Sequence, residues 1–406
     1  MSWFVAILGL AFLVLIHEAG HFFTARALGM RPRRFYIGFP PAIVKTVRGG
    51  IEYGIGAIPL GGYVKIPGMH RPAPSDLDAH FAAAVHEAPE LCSSVEPVKR
   101  RLARGDYDEG TELDALESGL GTAALSEHAR RSANRGVDEL RDGLGRDAYW
   151  RATTWKRVAV IFAGPGTNLV FAVLLLALVF VLGVRVATLT VHEVNPGSPA
   201  DLAGLRAGDR VVGVDGRRVP RFEDLFGYIQ DAEGAPLELD VDRGGRHLVL
   251  AMTPTQYYGQ NWAVGFKPAA RWERRGPVDA LGLSFHRTWD VTKAIGTGFA
   301  RLTRGEGRRE ISSPVGITRA SSDAVRTDFR VYLQLLAFIS LSLALLNLLP
   351  LLPLDGGHIA FSLVEGLRGR ALGREVYERV SIVGIALVLM LFFVGLSNDL
   401  GGTTPG

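Results

Sequence analysis

The sequence predicts a polytopic α-helical membrane protein: four transmembrane helices, a membrane-associated β-hairpin element and one extracytoplasmic α+β domain. Three observations predict it. Four segments (about 2–27, 158–184, 331–354 and 380–397) are apolar, the last three without one charged residue, and about 20 helical residues cross the hydrocarbon. Residues 31–69 are rich in strand formers broken by glycines, and 186–255 alternates strand, turn and helix patterns. Mean hydropathy is +0.17, high for a soluble chain.

Residues 1–30 form the first span. It lacks a basic n-region, and Ile16-His17-Glu18 is no small-residue cleavage site, so it does not read as a signal peptide. His17-Glu18-Ala19-Gly20-His21 lies inside it. On a helix, H-E-x-x-H sets two imidazoles on one face for zinc, with a glutamate beside them to act on a water. Each ionisable group at bilayer depth costs roughly 2.5–3.5 kcal/mol, so the cluster needs a compensating partner. A metal ion supplies one, which points to a metal-dependent hydrolase with its site in the bilayer.

Residues 31–71 read as the β element, with Gly49-Gly50 as its turn. Gly54 and Gly56 permit close backbone approach, either of an extended substrate at a strand edge or simply of the turn itself. Residues 72–150 form a polar cytoplasmic insertion of amphipathic helices or partial disorder. Its His80, His86 and His128 lack metal-ligand spacing and read as solvated, and Cys92 as an incidental thiol. Residues 151–185 carry the second span, where Asn168 reads as a packing residue.

Residues 186–255 contain Gly197-Ser198-Pro199-Ala200, then Ala203-Gly204-Leu205 and Gly208-Asp209, ahead of a strand at 210–214. A helix pattern at 222–232 and a hairpin around Gly244-Gly245 follow, and the whole resembles a PDZ domain. That likeness implies binding of extended peptide termini by strand addition. The 256–330 linker includes an amphipathic stretch with Phe285, Trp289 and Phe299, open to a place on the outer membrane surface or against the domain.

Residues 331–358 hold the third span and Asn347-Leu348-Leu349-Pro350-Leu351-Leu352-Pro353-Leu354-Asp355-Gly356-Gly357-His358. The prolines break the helix, as membrane helices allow where freed backbone lines a cavity. A helical zinc site needs a third ligand, and Asp355 is the first acid after Val331. Asn347 is a candidate donor to substrate backbone or oxyanion, and His358 reads as structural. A cytoplasmic loop at 359–379 and a fourth span with its tail at 380–406 complete the chain.

Six basic residues and no acid between Arg26 and Gly50, with Arg151, Lys156 and Arg157 further on, set 28–157 in the cytoplasm. Arg368, Arg370, Arg374 and Arg379 do the same for 355–379, so both termini and 185–330 face outward. The net charge of +4, with no Lys/Arg block interleaved with aromatics, excludes nucleic acid as partner. The single cysteine excludes an internal disulfide and a Cys-based zinc site.

The H-E-A-G-H in the first span, the L-D-G-G after the third and the PDZ-like segment between together resemble the site-2 protease family of intramembrane zinc metalloproteases. The closer likeness is to its bacterial regulator-of-sigma-E protease branch, supported by Phe162-Ala163-Gly164-Pro165-Gly166-Thr167-Asn168 and Pro59-Leu60-Gly61-Gly62-Tyr63-Val64. The resemblance implies Zn²⁺ on His17, His21 and Asp355, with Glu18 as general base and later proton donor. It implies a bacterial inner-membrane protein that cuts single-span substrates, such as anti-sigma factors or remnant signal peptides. That branch commonly carries two tandem PDZ domains, and one is visible here. The other reading is an inactive membrane adaptor that binds peptide tails through the PDZ domain. The intact Glu18 argues against it. A zinc transporter would need ionisable residues along the second and fourth spans, which have none.

Overall fold

The computed structural model describes residues 1–108, 110–257, 261–304 and 311–401. Part of the expected linker (258–260 and 305–310), the side chain of Phe299 and the tail from 402 lie outside the described residues. The chain forms two compact units, one of 1–176 with 284–406 and one of 177–283.

In the first unit, α1 (Ser2–Ala27) has no charge before Glu18, and Phe4, Leu8 and Phe12 stay exposed, as lipid-facing positions do. Among the described residues, β1 (Arg34–Arg48) and β2 (Ile51–Lys65) pair only with each other, but both bend. Residues 34–37 pair in rising register with 52–55 and in falling register with 62–65, while 42–48 pairs back on 51–56. The spatial order is therefore 42–48, 51–56, 34–37, 62–65, and 62–65 is an open edge.

The polar insertion is a packed bundle of α2 (Pro74–Glu87), α3 (Cys92–Ala103), α4 (Thr111–Thr122) and α5 (Glu127–Leu144). Its scattered apolar residues converge on one core around Leu77, Phe81, Leu91, Leu116 and Leu140, as the amphipathic-helix reading expects. Arg33 ties it to the β element through Asp142 at 2.8 Å and Asp147 at 2.9 Å. His80 meets Glu139 at 3.0 Å, and His86 and His128 are exposed.

After α6 (Thr154–Leu182), the second unit contains β3 (Val184–Val194), α7 (Pro199–Leu202), β4 (Arg210–Val214), β5 (Arg217–Arg218), α8 (Phe222–Asp231), β6 (Leu237–Arg243), β7 (Arg246–Met252), β8 (Thr255–Tyr257), β9 (Asn261–Ala263) and β10 (Phe266–Glu273). The main sheet runs β10-β3-β4-β6-β7, with β5 on β4, over a core that includes Val191, Val211, Leu225 and Leu239. The strand, helix and hairpin expected at 210–252 are all present. The sheet also recruits 184–185 and 266–273, so the unit outgrows the expected 186–255.

α9 (Pro277–Thr303) leaves Phe285 and Trp289 exposed. Then follow α10 (Pro314–Thr327), α11 (Phe329–Asn347), α12 (Asp355–Arg368) and α13 (Arg374–Gly401). The third span ends at Asn347 rather than 358, because Pro350 and Pro353 cannot donate to a continuing helix. Asp355 instead opens α12, which takes up the first part of the expected 359–379 loop, to Arg368. Ser2–Ala27, Thr154–Leu182, Phe329–Asn347 and Glu375–Gly401 are each long and apolar enough to cross a membrane.

Candidate metal centre

One helical turn separates His17 from His21 on α1, and their Nε2 atoms lie 3.3 Å apart. From the first turn of α12, Asp355 brings Oδ2 to 3.1 Å from His17 Nε2 and 3.4 Å from His21 Nε2. Both imidazoles are buried.

The His21 tautomer follows from its other nitrogen. Nδ1–H donates to the Val160 carbonyl of α6 at 2.9 Å, so Nε2 of the neutral ring is a lone pair. It faces a carboxylate oxygen, also an acceptor. Asp355 Oδ2 is buried without a hydrogen-bond partner among the described residues, as is His17 Nδ1. Acceptors converging at these distances repel one another unless a cation stands between them. A tetrahedral zinc with donors at about 2.0–2.1 Å sets neighbouring donors about 3.3–3.4 Å apart. The observed separations and the N₂O donor set fit that ion.

Small residues make the room. A Cβ on Gly164 of α6 would stand 2.2 Å from His21 Nε2, and one on Gly62 would stand 2.3 Å from Glu18 Cγ. Glu18 and Asn347 line the same cavity of about 530 Å³ as the three converging residues. His358, one turn after Asp355, lines that cavity too, although it is outside the converging set. Asn168 is fully buried, and its side-chain amide has no partner among the described residues.

Gly54 and Gly56 are not brought to this cavity. Gly54 pairs with Tyr36 on one side and Lys45 on the other, and Gly56 pairs with Ala42, so 51–56 is an interior strand. The edge that reaches Glu18 is 62–65 instead, with Gly62 and Tyr63 on the cavity wall. The Gly61-Gly62 doublet carried the signal, since two glycines in a strand pattern mark close approach of another group. The Val160 carbonyl carried none, because backbone acceptors leave no trace in residue type.

Comparison with known proteins agrees with this geometry. Peptidase family M50 matches residues 5–391. A protein of Agrobacterium fabrum is 30% identical over 410 residues, covering 97% of this chain and 94% of its own. Zinc metalloprotease RasP of Oceanobacillus iheyensis is 29% identical over 412 residues, 96% of each chain. Protease RseP of Yersinia pestis is 28% identical over 457 residues, 97% of each chain. With nearly its whole length matched and four helices fit to cross a membrane, this chain belongs to peptidase family M50, the site-2 proteases, and is a zinc-dependent metallopeptidase.

Proposed function

We propose that the chain is an intramembrane endopeptidase in which His17, His21 and Asp355 hold the zinc and Glu18 is the general base. The observation that carries this is the convergence of His17 Nε2, His21 Nε2 and Asp355 Oδ2 within 3.1–3.4 Å of one another, two of them on residues of the first span. Bound zinc supplies a Lewis acid and an acidified water. Glu18 takes the proton of the attacking water at its carboxylate and returns it to the leaving amine. Asn347 donates from its amide to the substrate carbonyl as negative charge develops.

The substrates are single-span membrane proteins, such as anti-sigma factors or remnant signal peptides, cut by regulated intramembrane proteolysis in the bacterial inner membrane. A wound helix hides its peptide bonds, so the substrate must unwind. The open edge 62–65 accepts the unwound segment as an added strand, in the role first assigned to Gly54 and Gly56. The basic residues of 28–157 support a cytoplasmic position for that edge and an outer one for both termini. The 184–273 unit is a PDZ domain that binds substrate ends on the outer side and admits trimmed ones. Removing it should permit cutting of untrimmed substrate; unchanged selectivity would leave it a packing module.

The deciding experiment measures zinc per chain and cleavage of a single-span substrate in wild type and Glu18→Gln. Zinc in both, with cleavage reduced by about 10³-fold or more in the variant, is the expected result. Cleavage retained in Glu18→Gln removes that residue from its role. Zinc in neither chain favours the adaptor.

A further inference from the structure

Helix α5 turns Ala133, Val137 and Leu140 into the bundle core. Its other side repeats Arg131, Arg135, Asp138 and Asp142, the spacing of one helix face. That face stands across a cleft from the open β2 edge. A cavity of about 390 Å³ is bounded by Tyr63, Val64 and Lys65 on the strand and by Glu139 and Leu140 on α5. A second, of about 480 Å³, continues it between the same strand and Arg131, Arg135 and Asp138. The first cavity shares Tyr63, Val64, Ile66 and Met69 with the catalytic cavity. The three spaces therefore lie along one strand segment, with Tyr63 on the wall of each.

The wall is fixed at its base. Lys65 Nζ meets Asp142 Oδ2 at 2.6 Å, and the Tyr149 and Trp150 N–H groups donate to the Pro67 and Gly68 carbonyls. Among the described residues, 62–65 has sheet partners on one side only, so alternate N–H and C=O groups along its other side are free to pair. A strand added there lies about 4.8 Å from the edge, inside the cleft.

The outer cavity has a sign. Its lining carries four cationic residues, Arg34, Lys65, Arg131 and Arg135, against two carboxylates, Asp138 and Glu139, and Lys65 is already paired with Asp142. Arg131 leans only on exposed Glu127 at 3.5 Å, and Arg135 has no ion-pair partner among the described residues. Asp138 and Glu139 are the opposing carboxylates on that wall, and the cations outnumber them.

We propose that the groove between the β2 edge and α5 seats the extended substrate segment on one side of the cut bond, and that Arg131 and Arg135 favour acidic side chains in it. This rests on the protease reading above. It makes the insertion a determinant of which substrates are cut.

Crosslinking tests the path without relying on turnover. Cys92, the sole cysteine, is exposed, so Cys92→Ser with Asn134→Cys puts a single thiol on the α5 wall. In a Glu18→Gln background, a single-span substrate with a thiol-reactive group at successive positions should crosslink over a few neighbouring positions on one side of the cut. Co-purification of substrate with no crosslink at any position overturns the path. Rates test the selectivity. Wild type should cut an acid-bearing segment roughly fivefold faster than its lysine counterpart, and Arg131→Glu with Arg135→Glu should reverse the order. Equal rates in wild type, or an order kept in the double variant, overturn it. If wild type cuts nothing, the protease reading fails by itself, and the crosslink alone decides the groove.

Discussion

Asp209 and Asp355, one in each compact unit, show two opposite fates of a carboxylate held away from water. Asp209, 1% exposed, accepts from Arg243 Nε and Nη2 at 2.7 Å each and from the Arg206 N–H at 2.8 Å. Each of these three contacts comes from a donor. Asp355 faces two imidazole nitrogens, and the Val160 carbonyl has already taken the one proton of a neutral His21. A buried acceptor with donors is architecture, whereas buried acceptors aimed at one another mark a place for a cation. The distinction lies in the partners, since burial is common to both.

Replacing the two acids should separate these fates most sharply. Asp355→Asn removes the anionic member of the set. Its loss of zinc affinity should exceed the roughly 100-fold that outer-shell changes cost, and cleavage should go with it. Asp209→Asn should leave the zinc content of the full chain unchanged. Equal zinc in Asp355→Asn and wild type would strip Asp355 of its role.

A smaller loss tests the space around Glu18. In Gly62→Ala the new methyl would fall 2.3 Å from Glu18 Cγ, so strand or carboxylate must move. A shift near 1 Å at a reacting group costs about 10²-fold in rate. Zinc should stay, because Gly62 does not touch the histidines or Asp355. An unchanged rate would mean that the edge yields freely and does not hold Glu18.

The sequence made the two units legible to different degrees. The apolar spans, the H-E-x-x-H turn and the acid after the third span could be read directly, because charge in a hydrocarbon setting is costly and stands out. The meeting of Asp355 with His17 and His21 depends on the path of the non-helical stretch between Asn347 and Asp355, which local pattern announces only as a break. The strand order of the β element was not readable. Its two long strands bend and pair twice, so the glycines at 54 and 56 ended inside the sheet and Gly62 beside Glu18. The insertion hid its core because its apolar residues are spread over four short helices and meet only in three dimensions.

The mildest effect concerns the satisfied carboxylate itself. Burial pushes the Asp209 carboxyl up, but the Arg243 guanidinium and the Arg206 N–H outweigh burial and hold it below its ordinary range. Its stabilising contribution is therefore complete above the unfolded carboxylate value of about 3.9 and disappears as pH falls through the lower folded value. Asp209→Asn should lower the stability of the 184–273 unit by about 2 kcal/mol at neutral pH, by loss of a charged hydrogen-bond pair. Denaturation of the full chain, followed through that unit, should show wild type and variant converging as pH falls below the ordinary carboxylate range. A gap that stayed constant into acid would assign the loss to packing. The satisfied member of the comparison would then hold its place by shape, and only Asp355 would owe its position to charge.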